Sequence, residues 1–226
     1  MDCPGMKISH EAIYQYLYDK KTGDSEDLIK LLRRGHKKRK AKGVNRKQRK
    51  TKIPNRVSIE ERPAAIEMRN RFGHWEGDSM VSRKSTEALN TLVERKSRFV
   101  FITRLQRKTA EETTAAVIER LGSLPEKARQ TLTLDNGTEN AAHEKITEAI
   151  ATKCYFARPY ASWQRGTNEN ANGLIRWYLP KGTDFGKITD EELTRIESLI
   201  NNRPRKCLGY KTPLEVASSF GVALNG

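Results

Sequence analysis

Cysteine is scarce here, three in 226 residues, and hydrophobic residues make up only 36% of the chain. Cys3, Cys154 and Cys207 lie far apart with no Cys-x-x-Cys pair among them. That excludes a paired-cysteine zinc site, argues against a disulfide scaffold and points to a reducing compartment. No run of eighteen apolar residues occurs, and the start, Met1-Asp2-Cys3-Pro4-Gly5, has no signal-peptide core. The expectation is a cytoplasmic protein with no membrane partner. Acidic residues are missing altogether from one stretch: between Arg33 and Lys52 there are twelve Lys or Arg and no Asp or Glu. That stretch carries most of a net charge of +15 and leaves 31 basic against 28 acidic residues elsewhere. A basic arm on a near-neutral body calls for a polyanion. With no large apolar helix face beside it, nucleic acid fits better than an acidic membrane surface, so the location expected is the nucleoid. A solvated tail is the plainer reading and is compatible with it, since such arms often order only on binding.

At this length one domain can bury a proper core, with a small appendage beside it. Residues 1–34 read as two short helices, about Ser9 to Tyr18 and about Ser25 to Arg34, split by Thr22-Gly23-Asp24 and too short to fold alone. A basic linker over 35–72 follows, with Pro54 and Pro63 in an extended lead-in, and the texture changes at Gly73. From there to residue 226 strands dominate at first. His74 to Met80 is one; Leu89 to Glu94 and Phe99 to Leu105 form a hairpin across Arg95-Lys96-Ser97-Arg98. Thr109 with Glu112 is a capping box opening a helix that Gly122 ends. Thr131 to Leu134 is a fourth strand, a short helix runs through Ile146 to Ile150, and Cys154-Tyr155-Phe156 is a fifth strand. Capping boxes at Thr189/Glu192 and Thr212/Glu215 mark helices near the C-terminus. The order β-β-β-α-β-α-β-α predicts an α/β fold, a mixed five-stranded sheet with helices on its faces, which binds ligands at strand ends.

Three carboxylates stand out: Asp78 closing His74-Trp75-Glu76-Gly77-Asp78, Asp135 opening Asp135-Asn136-Gly137, and Glu169 in Trp163-Gln164-Arg165-Gly166-Thr167-Asn168-Glu169. Converging carboxylates hold divalent ions, which phosphodiester chemistry requires. Each has a plainer reading. Asn-Gly after a strand is a turn signal, with the Asp bonding its own backbone. Strand alternation puts His74, Glu76 and Asp78 on one face, so Glu76 competes with Asp78 as the ligand. His74, a lone histidine, is read as a packing or hydrogen-bonding residue rather than a metal ligand. At 100° per residue Arg165, Glu169, Asn172 and Arg176 share one helix face, opposite Ala171, Leu174, Ile175 and Tyr178. Read alone, that describes a surface helix with a solvated stripe and one Arg165 to Glu169 ion pair.

Together these segments, with Thr91-Leu92-Val93-Glu94-Arg95, Arg98-Phe99-Val100, Tyr178-Leu179-Pro180-Lys181-Gly182-Thr183-Asp184 and Asn202-Arg203-Pro204-Arg205-Lys206, resemble the insertion-sequence-thirty family of bacterial DDE transposases from about Lys7 to Ala217. The resemblance implies a ribonuclease-H-like integrase core and assigns Asp78, Asp135 and Glu169 as the catalytic, metal-holding triad, deciding against Glu76. It implies Mg²⁺, with Mn²⁺ the other ion the ligands suit. Arg165 and Arg176 match basic positions where phosphate contact is expected, and Asn172 and Lys181 join them as candidate DNA contacts. In the basic arm Lys37, Lys38, Arg39, Lys40, Arg46, Lys47, Arg49 and Lys50 are expected to grip the backbone of double-stranded DNA without reading sequence.

The implied reaction cuts the terminal inverted repeats of a transposon to expose a 3′-OH, which attacks a target phosphodiester; bringing two ends together calls for a homo-oligomer. Two departures qualify it. Asn136 stands where the family usually has Gln. Only seven residues precede Ile8-Ser9-His10-Glu11-Ala12-Ile13-Tyr14, so the family's helix-turn-helix reader is expected to be absent, as in a truncated copy, an internal-start product or an excised catalytic portion. The rivals are a catalytically silent DNA-binding remnant that inhibits a full-length transposase and a stand-alone nuclease that nicks without joining.

Overall fold

The computed structural model describes residues 8–18, 25–32, 53–159 and 161–221. Two compact units divide the chain, residues 1–45 and 46–226. In the first, α1 (His10–Tyr18) packs on α2 (Ser25–Lys30). Ser9 opens α1 by accepting the Ala12 N–H on its hydroxyl, as an N-cap does. The eight basic-arm candidates from Lys37 to Lys50 lie outside the described residues.

The second unit runs β1 (His74–Val81), β2 (Ala88–Glu94), β3 (Val100–Leu105), α3 (Ala110–Gly122), β4 (Thr131–Leu134), α4 (His143–Ile150), β5 (Lys153–Phe156), α5 (Gly166–Tyr178), α6 (Asp190–Asn201) and α7 (Pro213–Ser218). The sheet order is β3-β2-β1-β4-β5. β1, β2 and β3 form an antiparallel meander; β4 and β5 run parallel to β1. This is the α/β element order expected. Among the described residues no helix is long and apolar enough to cross a membrane.

Alternation along β3 shows why its apolar run is continuous. Phe99 and Phe101 pack with Trp75, Leu132, Val117 and Leu121 beneath α3 and α4, whereas Val100 and Ile102 pack with Ile175 of α5 and Ile196 of α6. Both faces are covered, so neither set of side chains can be polar. Trp75 stacks on Phe101 at 5.4 Å and donates its indole N–H to the Ala128 carbonyl. At the outer edge of β3 the side chains of α6 complete the main chain. Asn201 accepts from the Val100 N–H and donates to the Val100 carbonyl, and Glu197 accepts from the Ile102 N–H.

Two expectations change. The linker over 35–72 is folded where it is described: Ile53, Ile59, Ile66 and Phe72 are buried, and Phe156 of β5 donates its N–H to Val57. These apolar residues make 53–72 part of the sheet-bearing unit. The box at Thr109 is half formed. Thr109 accepts from the Glu112 N–H, but the Glu112 carboxylate accepts from Arg107 N–H instead. The boxes at Thr189 and Thr212 are complete.

Two outcomes follow for the start of β1. Gly73 has φ +103°, and a Cβ there would stand 2.5 Å from the Lys127 carbonyl oxygen. Gly73→Ala should therefore cost roughly 1–3 kcal/mol in urea unfolding. His74 is buried beside the Thr131 hydroxyl. Burial, then the charges of Arg95, Arg62 and Arg71, lower its pKa from 6.5 to about 4. Between those values the unfolded chain binds a proton the folded chain refuses, so stability falls as pH drops through that window. Thermal unfolding should show this slope flattened in His74→Asn.

Candidate active site

Parallel pairing of β1 with β4 sets His74 beside Thr131, Trp75 beside Leu132 and Glu76 beside Thr133. Continued two residues, that register brings Asp78 alongside Asp135. Both carboxylates reach one guanidinium: Arg165 Nη1 is 3.4 Å from Asp78 Oδ1, and Arg165 Nη2 is 3.7 Å from Asp135 Oδ2. Arg165 also donates to the Gly77 carbonyl, so it is tied to β1 itself. Burial pushes the Asp78 carboxyl up, Arg165 pulls it down, and the charge of Asp135 pushes it up again; the net displacement is upward. Two like charges in a half-buried notch favour a cation between them.

Each Asp is held from a second direction. Asp78 Oδ2 accepts from Asn172 Nδ2 at 2.8 Å. Asp135 Oδ1 accepts from the Gly137 N–H at 2.9 Å and from Asn140 Nδ2 at 2.8 Å. The turn bond that offered a plainer reading of Asp135 is thus present, and it leaves Oδ2 facing Arg165. The Asn136 amide is engaged away from the notch: it accepts from Arg56 and donates to the Ala157 carbonyl.

Glu169 is exposed on α5, one turn from both Arg165 and Asn172, and its side chain makes no hydrogen bond or ion pair among the described residues. Among those residues no three His, Cys, Asp or Glu side chains form a group that could hold a metal ion. The structure brings Asp78 and Asp135 together and leaves Glu169 outside that pair, exposed on α5. An all-oxygen donor pair suits a hard divalent cation, and Arg165 supplies positive charge between the two carboxylates.

Glu76 has a different place. It is fully buried, its Oε1 is 3.1 Å from Arg95 Nε, and its Oε2 accepts from the Asn168 N–H at 2.9 Å. Since α5 has no side-chain cap of its own, a carboxylate of β1 satisfies one of its first-turn donors. Asn168 returns the contact, donating to the carbonyls of Glu76 and Thr91, and the Thr91 hydroxyl bonds Asn172 at 3.0 Å. Sequence reasoning gave Asn168 and Thr91 no role of their own, although both stand in the motifs quoted above; the signal for a buried link was a polar residue placed where an apolar one was due. Arg176, expected on DNA, donates to the Val81 and Leu179 carbonyls and lies over the Phe185 ring. Lys181 is exposed in the turn that follows α5.

Asn168→Ala strips several bonds from a residue with no exposed surface. It should cost about 1–3 kcal/mol in chemical denaturation, against less than ~0.5 kcal/mol for the exposed Asn170→Ala. Equal effects of the two would show that the β1 to α5 link carries no weight.

The family described as "Integrase core domain" matches residues 69–162, a span that holds Asp78 and Asp135 and stops short of Glu169. The transposase for insertion sequence element IS1086 of Cupriavidus metallidurans is 41% identical over 95% of this chain and 63% of its own length. Transposase InsI for insertion sequence element IS30A of Escherichia coli K12 is 43% identical over 97% of this chain and 57% of its own. The chain thus spans about three-fifths of the length of these relatives. Among solved structures, the catalytic core domain of BIV integrase superposes with a TM-score of 0.52 at 20% identity, covering 66% of this chain and 95% of that one. Identity above 40% along nearly the whole chain, with an integrase-core match inside it, makes the chain similar to insertion-sequence transposases over about three-fifths of their length.

Proposed function

We propose that this chain is the catalytic part of a DNA transposase that cuts the terminal inverted repeats of its element and joins the freed 3′-OH to target DNA. One observation carries the reading: Asp78 and Asp135 stand side by side on adjacent parallel strands with a single cationic side chain between them. Asp78, Asp135 and Glu169 are the residues proposed to hold Mg²⁺, or Mn²⁺ in its place. Bound there, divalent ions would lower the pKa of the attacking water or 3′-hydroxyl and stabilise the leaving oxygen.

The chain's own groups supply orientation and charge. Asn172 holds the Asp78 carboxylate from α5, while the Gly137 N–H and Asn140 hold that of Asp135. Arg165 is the guanidinium nearest the place where a reacting phosphate would sit, with two fork donors suited to its oxygens. Arg176 positions the helix rather than the DNA in this reading, because its hydrogen bonds go to main-chain carbonyls. The basic arm adds sequence-independent, salt-sensitive affinity for duplex DNA, and the working form is a homo-oligomer acting on DNA in the nucleoid.

The test is incubation of the chain with Mg²⁺ and a labelled duplex carrying the terminal repeat, scoring cleavage and joining beside Asp78→Asn, Asp135→Asn and Glu169→Gln. Metal-dependent cutting and joining, reduced to background in all three variants, is the expected result. Salt-sensitive binding with no reaction would sink the enzyme reading in favour of a silent remnant, and nicking without joining would favour a stand-alone nuclease.

A further inference from the structure

The motif Asn202-Arg203-Pro204-Arg205-Lys206 takes no part in the carboxylate site. It follows α6 and brings Arg205 to a cavity of about 270 Å³ whose other cationic residue is Arg98, from the β2–β3 hairpin. Thr167 and Asn170 of α5 line the cavity between them, and Cys207 lines it as well. At 100° per residue Thr167 stands roughly 160° around α5 from Glu169. The cavity and the carboxylates therefore occupy opposite flanks of one helix.

No carboxylate lines this space. Neither Arg98 nor Arg205 forms an ion pair among the described residues. Arg98 Nη1 donates to the Thr167 hydroxyl at 2.8 Å and Arg205 Nη2 to the Ile200 carbonyl at 3.1 Å. The Nε–H of each is buried without an acceptor. Burial and the neighbouring charges of Arg203 and Arg98 lower the pKa of Arg205, and burial and Arg98 lower that of Arg69. Positive charge is thus gathered around a cavity with no negative group facing it, and buried donors are left unpaired. An anion with several acceptor oxygens answers both conditions, and guanidinium forks match a phosphate in geometry. The volume is below the ~300–1,000 Å³ typical of pockets for organic ligands, which suits a phosphate-sized group.

We propose that Arg98 and Arg205 form a phosphodiester-binding site for the DNA backbone on the flank of α5 opposite the carboxylates. It gives DNA a second grip, separate from the one that presents the reacting phosphate, and it rests on the reading of DNA as substrate.

Binding of the terminal-repeat duplex is measured across a salt series, with chelator present so that nothing is cut. Arg98→Gln, Arg205→Gln and the double variant are compared with the parent chain and with Lys127→Gln, an exposed lysine outside the cavity lining. The double variant is expected to bind roughly tenfold more weakly, with a slope of log K against log salt reduced by about one, the signature of one lost phosphate. Lys127→Gln is expected to match the parent. In duplexes with one methylphosphonate at a time, one position should weaken the parent and leave the double variant unchanged.

Because both arginines also bond the fold, a readout on the unmutated chain accompanies these. Cys207 is exposed and Cys154 is buried, and alkylation by N-ethylmaleimide, followed at the Cys207 peptide, should slow when DNA is bound. A double variant with parental affinity and slope overturns the inference. So does a weakened variant with no matching methylphosphonate position, or alkylation of Cys207 that DNA does not slow. A parent chain that binds no duplex overturns this site together with the proposed function, whereas a parent that binds, cuts and joins beside an unaffected double variant overturns this site alone.

Discussion

The parallel pairing of β1 with β4 is the constraint from which the site follows. A parallel ladder fixes which residues stand abreast, and this one sets two aspartates next to each other at the point where β4 ends. Two carboxylates in a half-buried notch repel, and the chain answers from a third element, with Arg165 at the entry to α5 reaching both. The electrostatic demand comes first and the position of the arginine answers it. A slip of one residue in this ladder would turn Asp78 to the other face of the sheet and leave Arg165 with one partner.

α5 is located by polar contacts at its first turns and apolar ones further along. Ala171, Leu174 and Ile175 bury against β2, β3 and α6, a non-directional attraction that leaves a helix free to slide or rotate. Asn168 and Asn172 remove that freedom, because hydrogen bonds to the Glu76 and Thr91 main chain and to the Asp78 side chain hold in only one pose. The buried pair Glu76 and Arg95 belongs to the same device. Removing Arg95 would strand the Glu76 charge in the core, whereas Arg95 keeps a second carboxylate, Glu67, at 3.0 Å.

Much of this was legible beforehand. Period-two patterns and turn signals placed all five strands to within a residue or two at each end, and Thr189 and Thr212 announced their helices through Glu192 and Glu215. The shared polar face of Arg165 and Asn172 followed from helical spacing alone, and both meet Asp78. What was hidden depends on contacts between residues distant in sequence. Glu76 and Asp78 are alike to strand alternation, yet one is sealed in the core and the other opens on the notch, a difference set by Arg95 and Asn168. Arg176 presents the same face as Arg165, but carbonyls at Val81 and Leu179 claim it. The lead-in through Ile53 to Phe72 looked like linker because its charged residues outnumber the few apolar ones that bury.

The closing of the β3 edge by Asn201 and Glu197 has a consequence for assembly. An open outer strand is a template on which a second copy can lengthen the sheet. Here the donors of Val100 and Ile102 and the carbonyl of Val100 are already taken by side chains from α6. Any two copies of this chain that meet are therefore steered away from pairing strand to strand along β3.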